Sequence, residues 1–126
     1  MSDTPPRVGR EATQHWQAAR RGELLLPFDP AGRPVWPPGA GKLEWRTCEG
    51  DGTIASFSVV RRPVQPEWSD RAPYVVAMID LPSGHRLLSN VVDCDPRQVA
   101  IGMRVRCGFI ETSDPALGLP VFRLHP

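Results

Sequence analysis

The first quarter of the chain places its apolar residues at helical spacing, and from Leu43 onward the spacing is that of strands. Between Glu11 and Arg21, a stretch without Pro or Gly, Ala12, His15, Trp16 and Ala19 fall at i, i+3, i+4 and i+7. That is one stripe of an amphipathic helix. The basic pair Arg20–Arg21 followed by Gly22 suits the negative end of a helix dipole and a left-handed stop. A helix this short does not hold itself together in water. Trp16 must therefore pack on the body of the domain or on a partner. Residues 23–26 read as a short strand. Residues 27–41, PFDPAGRPVWPPGAG, carry five prolines and three glycines, which block both helix and central strand. Phe28, Val35 and Trp36 are nevertheless apolar, so this stretch reads as a structured, turn-rich connector.

Beyond it the period changes to two. Leu43, Trp45 and Thr47 alternate with Lys42, Glu44 and Arg46. Glu49-Gly50-Asp51-Gly52 predicts a turn, and Thr53–Val60 a strand that ends at Arg61-Arg62-Pro63. Residues 64–72 form a polar loop around Trp68. Tyr74–Leu81 is a nearly continuous apolar strand, and Pro82-Ser83-Gly84 joins it to an antiparallel partner, His85–Val92. Asp95–Val99 suits a single helical turn. Met103–Thr112 and Leu119–Leu124 supply two more strands. About six short strands at hairpin spacing point to a small closed barrel, because closure removes exposed edges. A five-stranded OB-type barrel fits the size; spacing alone leaves an SH3-like barrel or a small sandwich open. The expected division is a flexible tail over 1–10, a helix plus Pro-rich arm over 11–41, and a barrel over 42–126.

Composition changes this picture little. At 126 residues the chain is long enough for one modest core. Its 15 Pro and 11 Gly favour short strands and many turns over a helical bundle. Fifteen basic and fourteen acidic side chains leave a net charge of +1. A duplex-binding protein gains affinity by neutralising several phosphates, and this chain has no basic excess to do so. Lys42 is the single lysine, which reads as codon bias toward arginine. No apolar run approaches the ~20 residues that span a bilayer, and MSDTPPRVGR lacks the apolar core of a signal peptide. The expectation is a cytoplasmic protein without a membrane partner.

Several segments carry a family resemblance. They are ARRGELLL (19–26) after Trp16, LEWRTCEGDGTIASFSVVRRP (43–63), PYVVAMIDLPSGHRLLSNVVDCDPRQVAIGMRVRCGF (73–109) and LPVFRLHP (119–126). In this order they resemble the acyl-CoA-associated family long catalogued as a domain of unknown function. Its members have an N-terminal helix, a rubredoxin-like zinc ribbon and a C-terminal OB-fold. By this resemblance 43–63 is the first barrel hairpin, 73–109 the central barrel and 119–126 the closing strand. The departure lies in the ribbon. Phe28 and Ala31 stand where one Cys-x-x-Cys knuckle belongs, and Trp36 and Gly39 where the other does. None of these can ligate zinc, which needs four donors in a structural site. The expected architecture is thus mainly β: an N-terminal α-helix, a degenerate metal-free ribbon, and a five- to six-stranded OB-fold barrel. Phe28, Trp36 and prolines would replace the metal as the small core of the arm.

The residues themselves offer no catalytic set. His15, His85 and His125 are scattered, and His85 at a hairpin start reads as a solvated turn residue. Ser56, Ser58 and Ser89 lie in strands without a nucleophile elbow. Asp93 and Asp95 flank Cys94 at a strand end, where Asp95-Pro96 suits a turn or cap. Cys48, Cys94 and Cys107 form no Cys-x-x-Cys pair and read as ordinary buried thiols. What remains is recognition. Arg61, Arg62 and Arg71 bracket a loop with Trp68 and Tyr74, a set able to stack on adenine and pair with phosphates. Trp16, Arg20 and Arg21, with Phe28 and Trp36, are candidate anchors for a partner protein. The resemblance implies a non-catalytic accessory subunit. It would dock on a thiolase, thiolase-like aldolase or acyl-CoA hydratase, as a 2:2 heterotetramer, and help form the acyl-CoA channel, in steroid or fatty-acyl degradation. Acyl-CoA would be the substrate of the complex, with no cofactor and no zinc on this chain. The alternative is a single-stranded nucleic-acid-binding OB module; near-neutral charge and nine aromatic side chains weigh against it.

Overall fold

A computed structural model describes residues 10–39, 41–62 and 72–125. A 3-10 turn over Arg10–Ala12 leads into helix α1, Thr13–Arg20. The helix stops as its sequence predicts. Gly22 is left-handed at φ +78°. Its N–H donates to the Ala19 carbonyl at 3.1 Å, and the Glu23 N–H reaches back to the Ala18 carbonyl at 3.0 Å. These are the two bonds of a Schellman stop, which satisfies carbonyls left open at a helix end.

Strand β1, Leu25–Phe28, pairs antiparallel with β2, Glu44–Thr47, in register Leu25↔Thr47 to Phe28↔Glu44. This corrects the expectation of a barrel hairpin over 43–63. β2 turns away from the strand that follows it and joins the arm instead. Pro27 is tolerated inside β1 for a geometric reason. The Leu24 carbonyl accepts from the Cys48 N–H on the β2 side at 2.8 Å, so residues 25 and 27 face the other edge. The N–H that proline lacks would have pointed away from the ladder.

The five remaining strands close a barrel. They are β3 (Asp51–Val60), β4 (Tyr74–Asp80), β5 (Arg86–Val91), β6 (Arg104–Glu111) and β7 (Gly118–Leu124), in spatial order β3-β4-β5-β7-β6 with β6 returning to β3. Every pairing is antiparallel except β5 with β7, which meet in parallel at Val91↔Phe122. This is the five-stranded OB-fold topology, with a single 3-10 turn, Pro96–Gln98, between β5 and β6. Asp95 caps that turn by accepting from the Arg97 N–H at 2.9 Å. β3 serves two neighbours. Its first residues pair with β6 and the rest with β4, and the register shifts between Ile54 and Ser56. A bulge there bends the strand around the barrel.

The core follows the period of two. Val75, Ala77 and Ile79 of β4 are buried and alternate with half-buried neighbours. They pack with Ile54, Leu87, Val91, Val105 and Phe122. Leu24 and Leu26 of the arm enter the same cluster, so arm and barrel share one core. Helix α1 lies across the start of β7. Its buried face is His15, Ala18 and Ala19. A Cβ on Gly118 would meet the Arg20 N at 2.7 Å and the Ala19 carbonyl carbon at 2.8 Å. Only a residue without a side chain lets the helix backbone come this close.

That contact gives a direct test. Gly118→Ala must push α1 off β7, and is expected to cost roughly 1–3 kcal/mol, the usual penalty for overpacking. Urea unfolding should show a lower midpoint at unchanged slope. A midpoint equal to that of the parent would mean that the helix does not rest on β7.

Candidate docking site on the helix and arm

The arm is shaped by Asp29. Its carboxylate accepts from the Ala31 N–H and the Arg33 N–H, both at 2.9 Å. The Asp29 N–H donates to the Arg33 carbonyl at 2.8 Å, and Gly32, at φ +81°, donates to the Asp29 carbonyl at 2.9 Å. This closes a tight knuckle by an Asx turn. Phe28 bridges to Pro34, and the Val35 N–H donates to the Pro27 carbonyl at 3.1 Å, which brings Trp36 back beside the helix.

Trp36 and Trp16 meet there on either side of His15. The His15 ring centroid lies 4.5 Å from that of Trp16, edge-on, and 4.7 Å from that of Trp36. Together with Leu87, Leu88, Ser89 and Pro120 they line a notch of about 30 Å³. Leu88 on its rim is 66% exposed. The indole N–H of Trp16 is buried and has no partner among the described residues. Large half-buried aromatics beside an exposed leucine are the composition of a protein-binding face.

The other anchors expected from sequence are placed differently. Arg20 turns to Glu111 at 3.6 Å and to the Thr112 carbonyl at 3.4 Å, and Arg21 pairs with Glu23 at 3.6 Å. Phe28 is 7% exposed. Its ring meets His85 edge-on at 4.9 Å, and the Arg46 guanidinium lies over it at 4.5 Å. It fills the arm instead of presenting a surface.

Of the expected nucleotide-binding set, Arg61 and Arg62 are exposed at the end of β3 and Tyr74 opens β4. The register Val60↔Tyr74 brings them to one end of the barrel. Trp68 and Arg71 lie outside the described residues. A cleft of about 310 Å³ opens beside Tyr74, lined by Val75, Asn90, Val92 and Cys94 among others. Asn90 is spent on the Val75 carbonyl at 3.0 Å. Asp93 pairs with Arg123 at 2.6 Å and Asp95 with Arg97 at 2.8 Å.

The thiols are poor nucleophiles. Burial, and then the carboxylates of Asp95 and Asp93, push the Cys94 thiol above its ordinary value. Burial likewise raises Cys48 and takes Cys107 up to about 12. No group of three His, Cys, Asp or Glu side chains suited to a metal occurs among the described residues. No helix there is long and apolar enough to cross a membrane.

Sequence reasoning missed the burial of His85 and the bonding partner of His15. His85, read as a solvated turn residue, is 2% exposed. Its Nε2 donates to the Pro27 carbonyl at 2.7 Å, and that contact spans 58 residues of chain, so no local signal announces it. His15 was visible in the helical stripe. Its burial at 2% exposure and its bond to the Leu25 carbonyl at 2.9 Å depend on the arm folding back.

The geometry thus defines an OB-fold barrel carrying a short helix and a knuckled arm. Known proteins place it further. The family described as "ChsH2, C-terminal OB-fold domain" matches residues 45–109, just over half of the chain, and the chain belongs to this family. It is 35% identical over 126 residues to the "Probable enoyl-CoA hydratase alpha subunit" of Thermomonospora curvata, covering 94% of the chain and 39% of that protein. It is 46% identical over 69 residues to a "DUF35 domain-containing scaffold protein" of Methanothermobacter thermautotrophicus, 55% of the chain and 51% of that protein. A solved structure titled "Ltp2-ChsH2(DUF35) aldolase" superposes with a TM-score of 0.80 at 32% identity, over 94% of this chain and 98% of that one. The chain therefore spans about two fifths to one half of these curated relatives and nearly all of the solved chain.

Two outcomes check the arm and the thiols. Asp29→Ala removes the acceptor of two backbone N–H groups and is expected to cost about 1 kcal/mol. Asp29→Asn should recover most of that loss in thermal unfolding. Cys107, held protonated by the burial that takes its thiol up to about 12, should resist iodoacetamide in the folded protein and react once urea unfolds it. Peptide mass mapping reads this directly.

Proposed function

We propose that this chain is a non-catalytic subunit that docks on an acyl-CoA-processing enzyme through the Trp16–Trp36 face. The observation that carries the reading is that face itself: two tryptophans braced by a buried histidine, next to an exposed leucine. In this reading the chemistry belongs to the partner, which the scaffold-protein name of one relative supports. The names of the relatives supply the class of partner. They are hydratase subunits, a scaffold protein and an aldolase. One relative, from Mycobacterium tuberculosis, is titled a 3-oxo-4,17-pregnadiene-20-carboxyl-CoA hydratase alpha subunit; it is 30% identical over 122 residues, 89% of this chain and 38% of that protein. It supports a steroid or related acyl-CoA substrate for the complex. Arg61 and Arg62 at the barrel end are the side chains we assign to the phosphates of the CoA moiety.

The arm does its work without zinc. Asp29 closes the knuckle with a carboxylate, and Phe28 and Trp36 fill it with rings packed on His85 and His15. The nucleic-acid reading finds no comparable support. Arg86, Arg106 and Arg123 on the barrel each pair with a carboxylate, at 2.6, 2.9 and 2.6 Å, so these three offer no free charge along a strand of phosphates.

Co-expression with a hydratase or thiolase-like enzyme from the same host tests this. Recovery of the two chains at a fixed ratio is expected, with a mass by light scattering that matches two copies of each. Leu88→Glu should leave the fold intact by circular dichroism and weaken assembly by at least about tenfold, as loss of a central apolar contact does. Purified protein should contain substoichiometric zinc. Unchanged assembly in Leu88→Glu and Trp36→Ala would place the interface elsewhere.

A further inference from the structure

Two histidines, whose rings the proposed function uses only as packing, hold the same edge of β1 through their polar atoms. His15 Nδ1 lies 2.9 Å from the Leu25 carbonyl and His85 Nε2 lies 2.7 Å from the Pro27 carbonyl. A carbonyl oxygen only accepts, so each of these nitrogens carries the proton. The neutral tautomers are fixed accordingly. His85 Nδ1 is left bare and accepts from the Ser83 hydroxyl at 2.7 Å. Leu25 and Pro27 are two residues apart, and their carbonyls leave β1 on the edge that β2 does not use. One ring belongs to helix α1 and the other to the β4–β5 turn. Between them they tie helix, arm and barrel together.

Among the described residues no carboxylate pairs with a positive charge on either ring. On the helix itself Glu11, one turn before His15, is exposed. The other groups around His15 are the uncharged side chains of Trp16, Trp36, Leu87, Leu88, Ser89 and Pro120. The charge that does act on His15 is that of His85. Around His85 stand Ser83, the Cys48 thiol beside Ser83, the Phe28 ring and the Arg46 guanidinium over that ring. No carboxylate bonds to either imidazole among the described residues.

We propose that His15 and His85 form a proton-operated clasp, and that protonating the pair frees the arm from helix and barrel and takes apart the Trp16–Trp36 face. The link to partner binding rests on the docking reading; the clasp itself does not. Burial holds both imidazoles below the usual value of 6.5. The bonds to Leu25 and Pro27 offset part of this, and His85 lowers His15 further. The unfolded or opened chain therefore takes up protons first. The contribution of the clasp is complete above about pH 6.5 and is lost as the pH falls through the folded values.

Amide hydrogen exchange on the isolated chain tests it, corrected for the intrinsic pH dependence of exchange. The Val35 and Cys48 N–H groups report the arm, since they donate to the Pro27 and Leu24 carbonyls. The Ile54 and Val92 N–H groups report the barrel, donating to Met103 and Phe122. Protection of the arm amides should fall at least about tenfold between pH 7.5 and pH 5 while the barrel amides keep theirs, the signature of local opening. His15→Gln with His85→Gln keeps an uncharged donor at each carbonyl and should abolish the pH dependence. Equal arm protection at both pH values, or the same loss in the double variant, would overturn the clasp. If the double variant does not fold, imidazole titration by NMR decides: folded-state values at or above 6.5 for both rings refute it. Failure of any enzyme to bind at pH 7.5 would remove the docking reading and leave the exchange result standing.

Discussion

A two-stranded ribbon cannot hold itself together in water, and this constraint organises the rest of the molecule. β1 and β2 have too few cross-strand contacts to persist alone, so every neighbour of β1 is recruited to hold it. Leu24 and Leu26 reach into the barrel core. His15 and His85 bond to the carbonyls on the edge opposite β2. Asp29 closes the loop that leaves it. Among the described residues a carboxylate, two imidazoles and a few rings share this task. Each is individually modest, and each depends on the others being in place.

The consequences run outward from that arrangement. The histidine that holds the Leu25 carbonyl is also the ring between Trp16 and Trp36. The face assigned to a partner is therefore built directly on the device that secures the arm. Conversely, the barrel contributes little chemistry. Its arginines are largely neutralised by nearby aspartates, its thiols are held protonated by burial, and its cleft beside Tyr74 is lined mainly by apolar groups. An OB-fold commonly serves as a binding platform. In this chain the added helix and arm provide the more distinctive surface.

Much of the fold was legible in the sequence because its signals are local. The stripe of Ala12, His15, Trp16 and Ala19 gave α1, and Gly22 gave its end. The alternation within 74–80 and the Pro82-Ser83-Gly84 turn gave β4 and β5 as a hairpin. Asp95-Pro96 gave the single helical turn. The pairing of β2 was not legible. Glu49-Gly50-Asp51-Gly52 has the composition of a hairpin turn, but composition does not say which strand lies on the other side. The arm's need for a second strand decided that. The aromatics divide in the same way: Trp16 and Trp36 stand out as large rings with nothing local to bury them, whereas the burial of Phe28 under Arg46 depends on β2 lying beside β1.

By itself the sequence determined where the chain can be helix, strand or turn, and that Phe28, Ala31, Trp36 and Gly39, which the family resemblance aligns with the ribbon knuckles, carry no thiol or imidazole. These follow from periodicity and side-chain chemistry, which act over a few residues. Only the tertiary structure decided that β1 and β2 share a ladder, that Gly118 admits the helix backbone, and that His15 and His85 leave solvent to hold two carbonyls of one strand. These contacts join segments up to 99 residues apart. Their energy appears only when the whole chain has closed around them, so no local pattern could encode them.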